Sequence, residues 1–173
     1  MGADGATQTF IHFVRDNQAW AAPLVFTLAF LESFAFVSLL VPATAILIGV
    51  GALAGVAGLS FWPIYVAAVA GAFVGDWLAF ELALWLGPHV TEVWPISRKP
   101  ELLRWASEWF ARWGVAAVFF GRFFGPMRAA IPLVAGALKM SRPRFQLANL
   151  ASAPIWAAGV LAPGAVGARW LLS

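Results

Sequence analysis

Residues 114–140 read GVAAVFFGRFFGPMRAAIPLVAGALKM. The stretch is apolar enough for a bilayer, yet it holds Arg122 and Arg128. A guanidinium stays charged at any accessible pH, and placing one at bilayer depth costs about 2.5–3.5 kcal/mol on insertion scales. Two of them, flanking Gly125-Pro126, predict a broken helix that presents fixed positive charge to something anionic inside the membrane. The arm from Gly114 to Phe124 has 11 residues. At about 1.5 Å per residue it reaches roughly half of a 30 Å hydrocarbon core, which puts the break near the midplane. Non-helical backbone at that depth must be surrounded by protein or line a water-filled cavity.

The rest of the chain agrees with a membrane class. Of 173 residues 62% are hydrophobic and 11% charged, against about 25% charged in soluble proteins. A chain of this length is read as a single membrane domain over 1–173, the bilayer standing in for a large soluble core. The N-terminus, MGADGATQTF, lacks the basic region of a signal peptide, so no cleavage is expected. Cysteine is absent, which rules out disulfides and thiolate metal sites. Ten tryptophans fit a protein with much interfacial surface.

Residues 23–58 carry one charge, Glu32, with a break near Val41-Pro42. Residues 61–87 hold Asp76 and Glu81, and 145–168 hold no charge at all. LVPATAILIGVGALAG (40–55) is similar to FGPMRAAIPLVAGALKM (124–140), each with a proline and then Gly-Ala-Leu nine or ten residues later. The predicted fold is therefore all-α and integral to the membrane. It has two inverted repeats, each a re-entrant helical hairpin plus one transmembrane helix. Repeat 1 covers about 23–87 and repeat 2 about 114–170. Between them, 97–113 is amphipathic, with Leu102, Ala106, Trp109, Phe110 and Trp113 on one side. It is expected to lie on the inner leaflet, a helix docked on protein being the alternative. A weaker amphipathic stretch at Phe10, Phe13, Val14 and Asn17 is assigned to the outer face. Arg98, Lys99, Arg104 and Arg112 precede the second hairpin, and Lys139, Arg142 and Arg144 follow it. Both clusters then share the cytoplasmic face.

On an unbroken helix Arg122 and Arg128 would point roughly 240° apart. The interruption after Gly121, at Gly125-Pro126, lets them converge on one cavity. A half-helix opening at Pro126 would aim its positive dipole end and free amides at the same place. Two guanidiniums and a helix N-terminus suit a phosphate. A buried ion pair with Glu32 or Asp76 is the structural alternative. Two roles stand open for Glu32, a proton-exchanging group and a fixed counter-ion. Pro42 is expected to start a facing half-helix, with Thr44 placed to touch a ligand. Asp76 lies deeper than Glu81 and is the better site candidate. No metal or cofactor is read from the sequence, because His12 and His89 form no ligand constellation. No nucleophile with a positioned base, phosphate loop or nucleic-acid platform is present, so enzyme and nucleic-acid-binding classes are set aside.

The same residues carry a family pattern. GRFFGPMRAAIPLVAGALKM resembles the G-R-F…P…R…A-G…M signature of the DedA (SNARE-associated, VTT-domain) membrane proteins. RFQLANLASAPIWAAGVLAPGAVG resembles that family's last repeat helix, and GAFVGDWLAFELALWLG its glycine-aspartate helix. LESFAFVSLLVPATAILIGVGALAG is similar to its first hairpin, with Glu32 at the acidic position. The resemblance implies re-entrant hairpins in inverted repeats and lipid transport across the bilayer. For bacterial members it implies return of undecaprenyl phosphate from the outer leaflet, driven by the proton motive force. It makes Glu32, Arg122 and Arg128 the essential residues. The chain departs from the pattern at Thr44, where many members have a second acid, so Glu32 would act alone or with Asp76. A further C-terminal helix of many members is not visible in the sequence.

The reading is a flippase for a polyprenyl-phosphate carrier in the bacterial cytoplasmic membrane, multi-pass, and not an enzyme. Arg122, Arg128 and Thr44 bind the lipid phosphate, while Glu32 and Asp76 couple protons or act as counter-ions. Pro42, Gly121, Gly125 and Pro126 shape the breaks. The partners are the carrier lipid and inner-leaflet phospholipids; a homo-oligomer is left open. The rival readings are a proton-coupled exporter of small cations or drugs, with the arginines structural, and a membrane-organising scaffold.

Overall fold

Four of the 11 prolines mark where helices begin, while Pro132, Pro154 and Pro163 lie inside helices. Pro23, Pro63, Pro100 and Pro143 each fall within the first three residues of a helix, where a missing N–H forfeits no intrahelical bond. The computed structural model describes residues 12, 16–34, 43–92, 96–98, 100–124 and 127–172. Helix α1 spans Ala21–Ser33, α2 Ala43–Ala57, α3 Phe61–Leu86 and α4 Pro100–Trp113. Then come α5 at Val115–Gly121, α6 at Met127–Ala137 and α7 at Arg142–Leu172. Short 3-10 turns occupy Gln18–Trp20, Gly87–Glu92 and Ile96–Arg98. No strand occurs among the described residues. Pro42, Gly125 and Pro126 lie outside the described residues, as do Phe10, Phe13 and Val14 of the outer amphipathic stretch.

The stretches Phe61–Val90 and Arg142–Gly167 are long and apolar enough to cross a bilayer. They coincide with the spans predicted at 61–87 and 145–168. By contrast α1, α2, α5 and α6 have 13, 15, 7 and 11 residues. At about 1.5 Å per residue each is well short of a 30 Å core.

Small residues set how these short arms pack. A Cβ on Gly71 of α3 would strike the Phe26 carbonyl oxygen of α1, and one on Gly75 would come within 2.7 Å of the Phe30 carbonyl oxygen. Contacts at 26 with 71 and 30 with 75 advance together, so α1 and α3 run parallel and α1 ends beside the middle of α3. In the same way Gly51 and Gly55 of α2 meet Leu161 and Ala165 of α7. Gly136 of α6 meets Phe80 of α3. Helix α2 thus packs against α7, and α6 against α3. Close backbone approach through small residues is how helices pack where water supplies no driving force between them. Gly71→Val should force α1 away from α3 at a cost of about 1–3 kcal/mol. A lowered melting midpoint of the detergent-purified protein is the expected readout.

Tryptophans mark two ends. Trp20 and Trp62 are 66% and 70% exposed at one, and Trp85 and Trp113 are 81% and 53% exposed at the other. Such belts sit at headgroup level. Trp62 and Trp85 are 23 residues apart on α3, roughly 35 Å, and Asp76 lies only about 4 Å along the axis from their midpoint. Two apolar clusters fill the interior. One gathers Val25, Ala29, Leu47, Ala72 and Trp156 towards the Trp62 end. The other gathers Phe80, Val118, Leu133, Phe145 and Ala148 towards the Trp85 end. Between Ala72 and Ala79 on α3, and between Ala148 and Trp156 on α7, lies a buried polar layer of Asp76, Asn149 and Ser152.

Helix α4 docks on protein, the alternative reading of this stretch, through its predicted apolar face with Trp113 excepted. Leu103 and Ala106 are buried in the cluster nearer Trp85, with Leu102, Trp109 and Phe110 packed against it. Trp109 meets Phe124 edge-on at 4.8 Å between ring centroids. Trp113, assigned to the apolar side, is exposed. It is the last residue before Gly114, whose φ of 52° turns the chain into α5, so it extends beyond the packed face.

Candidate functional site

Every ionised group of the polar layer comes from a helix end or from the middle of α3. Arg122 caps the C-terminus of α5, and Arg128 stands in the first turn of α6. Glu32 is in the last turn of α1, and Thr44 is the second residue of α2. Each of these four helices is too short to cross a bilayer, and their ends meet at the level of Asp76. The site is where they stop.

The two guanidiniums take different partners. Arg122 Nη2 donates to Asp76 Oδ2 and to Asn149 Oδ1, and Asn149 Nδ2 donates to the Phe73 carbonyl at 3.0 Å. The Arg122 side chain is 2% exposed. Arg128 Nη1 donates to Glu32 Oε1 at 2.6 Å and Nη2 to Ser33 Oγ at 2.9 Å. Its guanidinium lies 4.4 Å from the centroid of the Trp156 ring, a cation–π contact. Thr44 Oγ1 donates to the same Glu32 Oε1. The pairs belong to one electrostatic cluster: Asp76 is acted on by both guanidiniums, and Arg128 by both carboxylates and by Arg122. Its formal charge sums to zero.

The cluster is not saturated. Arg122 Nε and Nη1 and Glu32 Oε2 are buried without a hydrogen-bond partner among the described residues. A buried donor or acceptor left unmade costs about 1–3 kcal/mol, more when charged. The unpartnered atoms fall on both ion pairs, the donors on Arg122 and the acceptor on Glu32.

The structure thus brings Glu32, Thr44, Asp76, Arg122 and Arg128 into one layer, with Gly121 buried beside it against Ile131. The free half-helix amides are a correction. Met127 and Arg128 both donate their backbone N–H to the Phe124 carbonyl, at 2.8 and 3.3 Å, because the turn through Phe124 caps the helix from its own chain. Glu81 stands apart, its carboxylate held by Arg142 at 2.8 and 2.9 Å and by Trp77 Nε1 at 3.3 Å. Ser33, Asn149 and Trp156 carry contacts that sequence reasoning did not assign. A lone asparagine in a charge-free spanning helix was the available signal for Asn149, since a buried amide needs partners. Among the described residues no three His, Asp or Glu side chains gather into a metal-sized group.

Two long apolar helices, four short ones and a buried charge cluster make up an all-helical fold of membrane-like character. The VTT domain family model matches residues 41–166, and the chain belongs to that family, the DedA proteins. The chain is 32% identical over 154 residues to the inner membrane protein YabI of Escherichia coli, covering 88% of this chain and 60% of that one. It is 26% identical over 155 residues to an uncharacterized membrane protein of Buchnera aphidicola, covering 90% and 60%. An uncharacterized membrane protein of Synechocystis is 37% identical over 120 residues, covering 68% of this chain and 55% of the relative. The chain spans about 60% of the length of the first two relatives. No solved structure matches it significantly. The matched residues include Thr44, Asp76, Arg122, Arg128, Asn149 and Trp156; Glu32 precedes them.

Proposed function

We propose that the protein is a flippase that carries a polyprenyl phosphate such as undecaprenyl phosphate across the bacterial cytoplasmic membrane. The observation that carries this reading is a buried, charge-neutral cluster with unpartnered atoms on both Arg122 and Glu32. A lipid phosphate entering it competes with Glu32 for Arg128. Protonating Glu32 removes the competitor and leaves the cluster positive, so phosphate binding and proton uptake are linked. Arg122 offers its two spare donors to the same anion, and Thr44 is free to turn from Glu32 to the phosphate once that carboxylate is neutral.

The packing exchange supports an inverted-repeat arrangement with re-entrant hairpins. Arm α2 lies on α7 and arm α6 on α3, so sliding one half past the other would change which end of the polar layer is open. Arg104, Arg112, Lys139, Arg142 and Arg144 lie on α4 or at the Trp85 end, which favours that end as cytoplasmic.

Glu32→Gln keeps the shape of the side chain and removes its carboxylate. In proteoliposomes carrying a labelled polyprenyl phosphate, the variant should bind the lipid yet lose the response of flipping to an imposed proton gradient. Flipping by Glu32→Gln that still follows the gradient would overturn the coupling. One observation favours a second reading, a proton-coupled exporter of small cations: each guanidinium already holds a carboxylate. That reading predicts cation-driven proton flux in the same vesicles without lipid movement.

A further inference from the structure

Away from the polar layer, the end marked by Trp85 and Trp113 carries a second feature. Helices α4 and α5 and the α6–α7 connection enclose an open notch of about 570 Å³. Phe110, Val115 and Met140 line it with apolar surface, and Lys139, Ser141 and Arg144 supply its polar groups. No acidic residue lines it. Neither Lys139 nor Arg144 forms an ion pair among the described residues, whereas neighbouring Arg142 is held by Glu81.

Lys139 is unusual in its backbone as well. Helix α6 ends in a Schellman motif, with the Met140 N–H donating to Ala135 O and the Lys139 N–H to Gly136 O, both at 2.9 Å. Lys139 occupies its left-handed position with φ 55°, the one positive φ outside glycine among the described residues. Glycine is the residue that favours this position. A lysine there gives up local stability and places an ammonium at the mouth of the notch.

We propose that the notch is a binding site for the headgroup of an anionic phospholipid. Lys139 and Arg144 neutralise the phosphodiester, Ser141 donates a hydrogen bond to it, and the first methylenes of an acyl chain cover Phe110, Val115 and Met140. The charge complementarity, the apolar floor and the level of the exposed tryptophans select a lipid over a soluble anion. This site is separate from the cluster of Arg122 and Arg128 and does not depend on what that cluster carries.

Lys139→Gly tests it with little risk to folding, because glycine suits the left-handed position better than lysine. The full chain in detergent, offered equal phosphatidylglycerol and phosphatidylcholine, would be examined by native mass spectrometry. The wild type should retain phosphatidylglycerol in preference. Lys139→Gly and Arg144→Gln should each lower that preference about tenfold, a change typical of losing one charge-assisted contact. The melting midpoint of lipid-free Lys139→Gly should be unchanged or raised. Arg104→Gln and Arg112→Gln, exposed cations outside the notch, should leave the preference intact. Equal retention of the two lipids by the wild type, an unaltered preference in Lys139→Gly, or an equal loss in the control variants would overturn the site.

Discussion

Replacing Arg122 with alanine should leave little folded protein. The Asp76 carboxylate would remain buried with its donor gone, and Asn149 would lose the group its carbonyl accepts from. Removing one partner of a buried ion pair costs about 3–5 kcal/mol, because the surviving charge is uncompensated. That is a large share of the roughly 5–15 kcal/mol that holds a typical domain together. Removing both charges at once has a different outcome. Arg122→Met with Asp76→Leu leaves no orphaned ion and should recover most of the lost stability. The measurement is the melting midpoint and the monodisperse fraction in detergent for both single variants and the pair. A double variant as unstable as Arg122→Ala would mean that the guanidinium stabilises through packing and not through Asp76. A stable double variant also serves the functional question, since it should fold and yet fail to flip a polyprenyl phosphate.

Arg128→Lys should fold and should transport about ten- to a hundredfold more slowly. The positive charge survives, so Glu32 keeps a counter-ion and the stability loss is small. What disappears is the fork. One guanidinium reaches Glu32 and Ser33 through separate nitrogens while its central carbon lies over the Trp156 ring. An ammonium is a point charge and holds neither geometry. A phosphate that takes Glu32's place would lose the planar, two-pronged recognition that a guanidinium offers. The rate of polyprenyl-phosphate flipping at matched protein density, measured beside the melting midpoint, separates the two effects. Wild-type flipping by Arg128→Lys would show that charge alone suffices.

Much of this layout is readable in one dimension. Arg122 and Arg128 stand out because a charge in an apolar run is expensive wherever the chain puts it. The short arms follow from counting residues against a bilayer's thickness, and the spans at 61–87 and 145–168 from the near absence of charge. Amphipathic α4 is legible too, from its period. Its exact seat is not: Leu103 is buried and Trp113 is exposed, because docking on α5 and α6 depends on where the helix ends as well as on its stripe. The capping of α6 by the Phe124 carbonyl was likewise hidden, since it rests on the path of a turn and not on residue type.

Sequence by itself determined that this is a helical membrane protein with two arginines at a helix break and two carboxylates able to answer them. Cost and length decide those features, and both are properties of single segments. Which carboxylate answers which arginine was decided by tertiary structure alone. Arg128 and Glu32 are 96 residues apart, and Arg122 and Asp76 are 46 apart. Their pairing depends on the rotation of α1 against α3, fixed by glycines that let the two backbones nearly touch. The same packing turns Asn149 inward to orient Arg122 and places Trp156 beneath Arg128. It leaves donor atoms unpaired on Arg122 and a carboxylate oxygen unpaired on Glu32. A periodicity or a motif cannot encode that last feature, because a missing partner exists only once every neighbour has been placed.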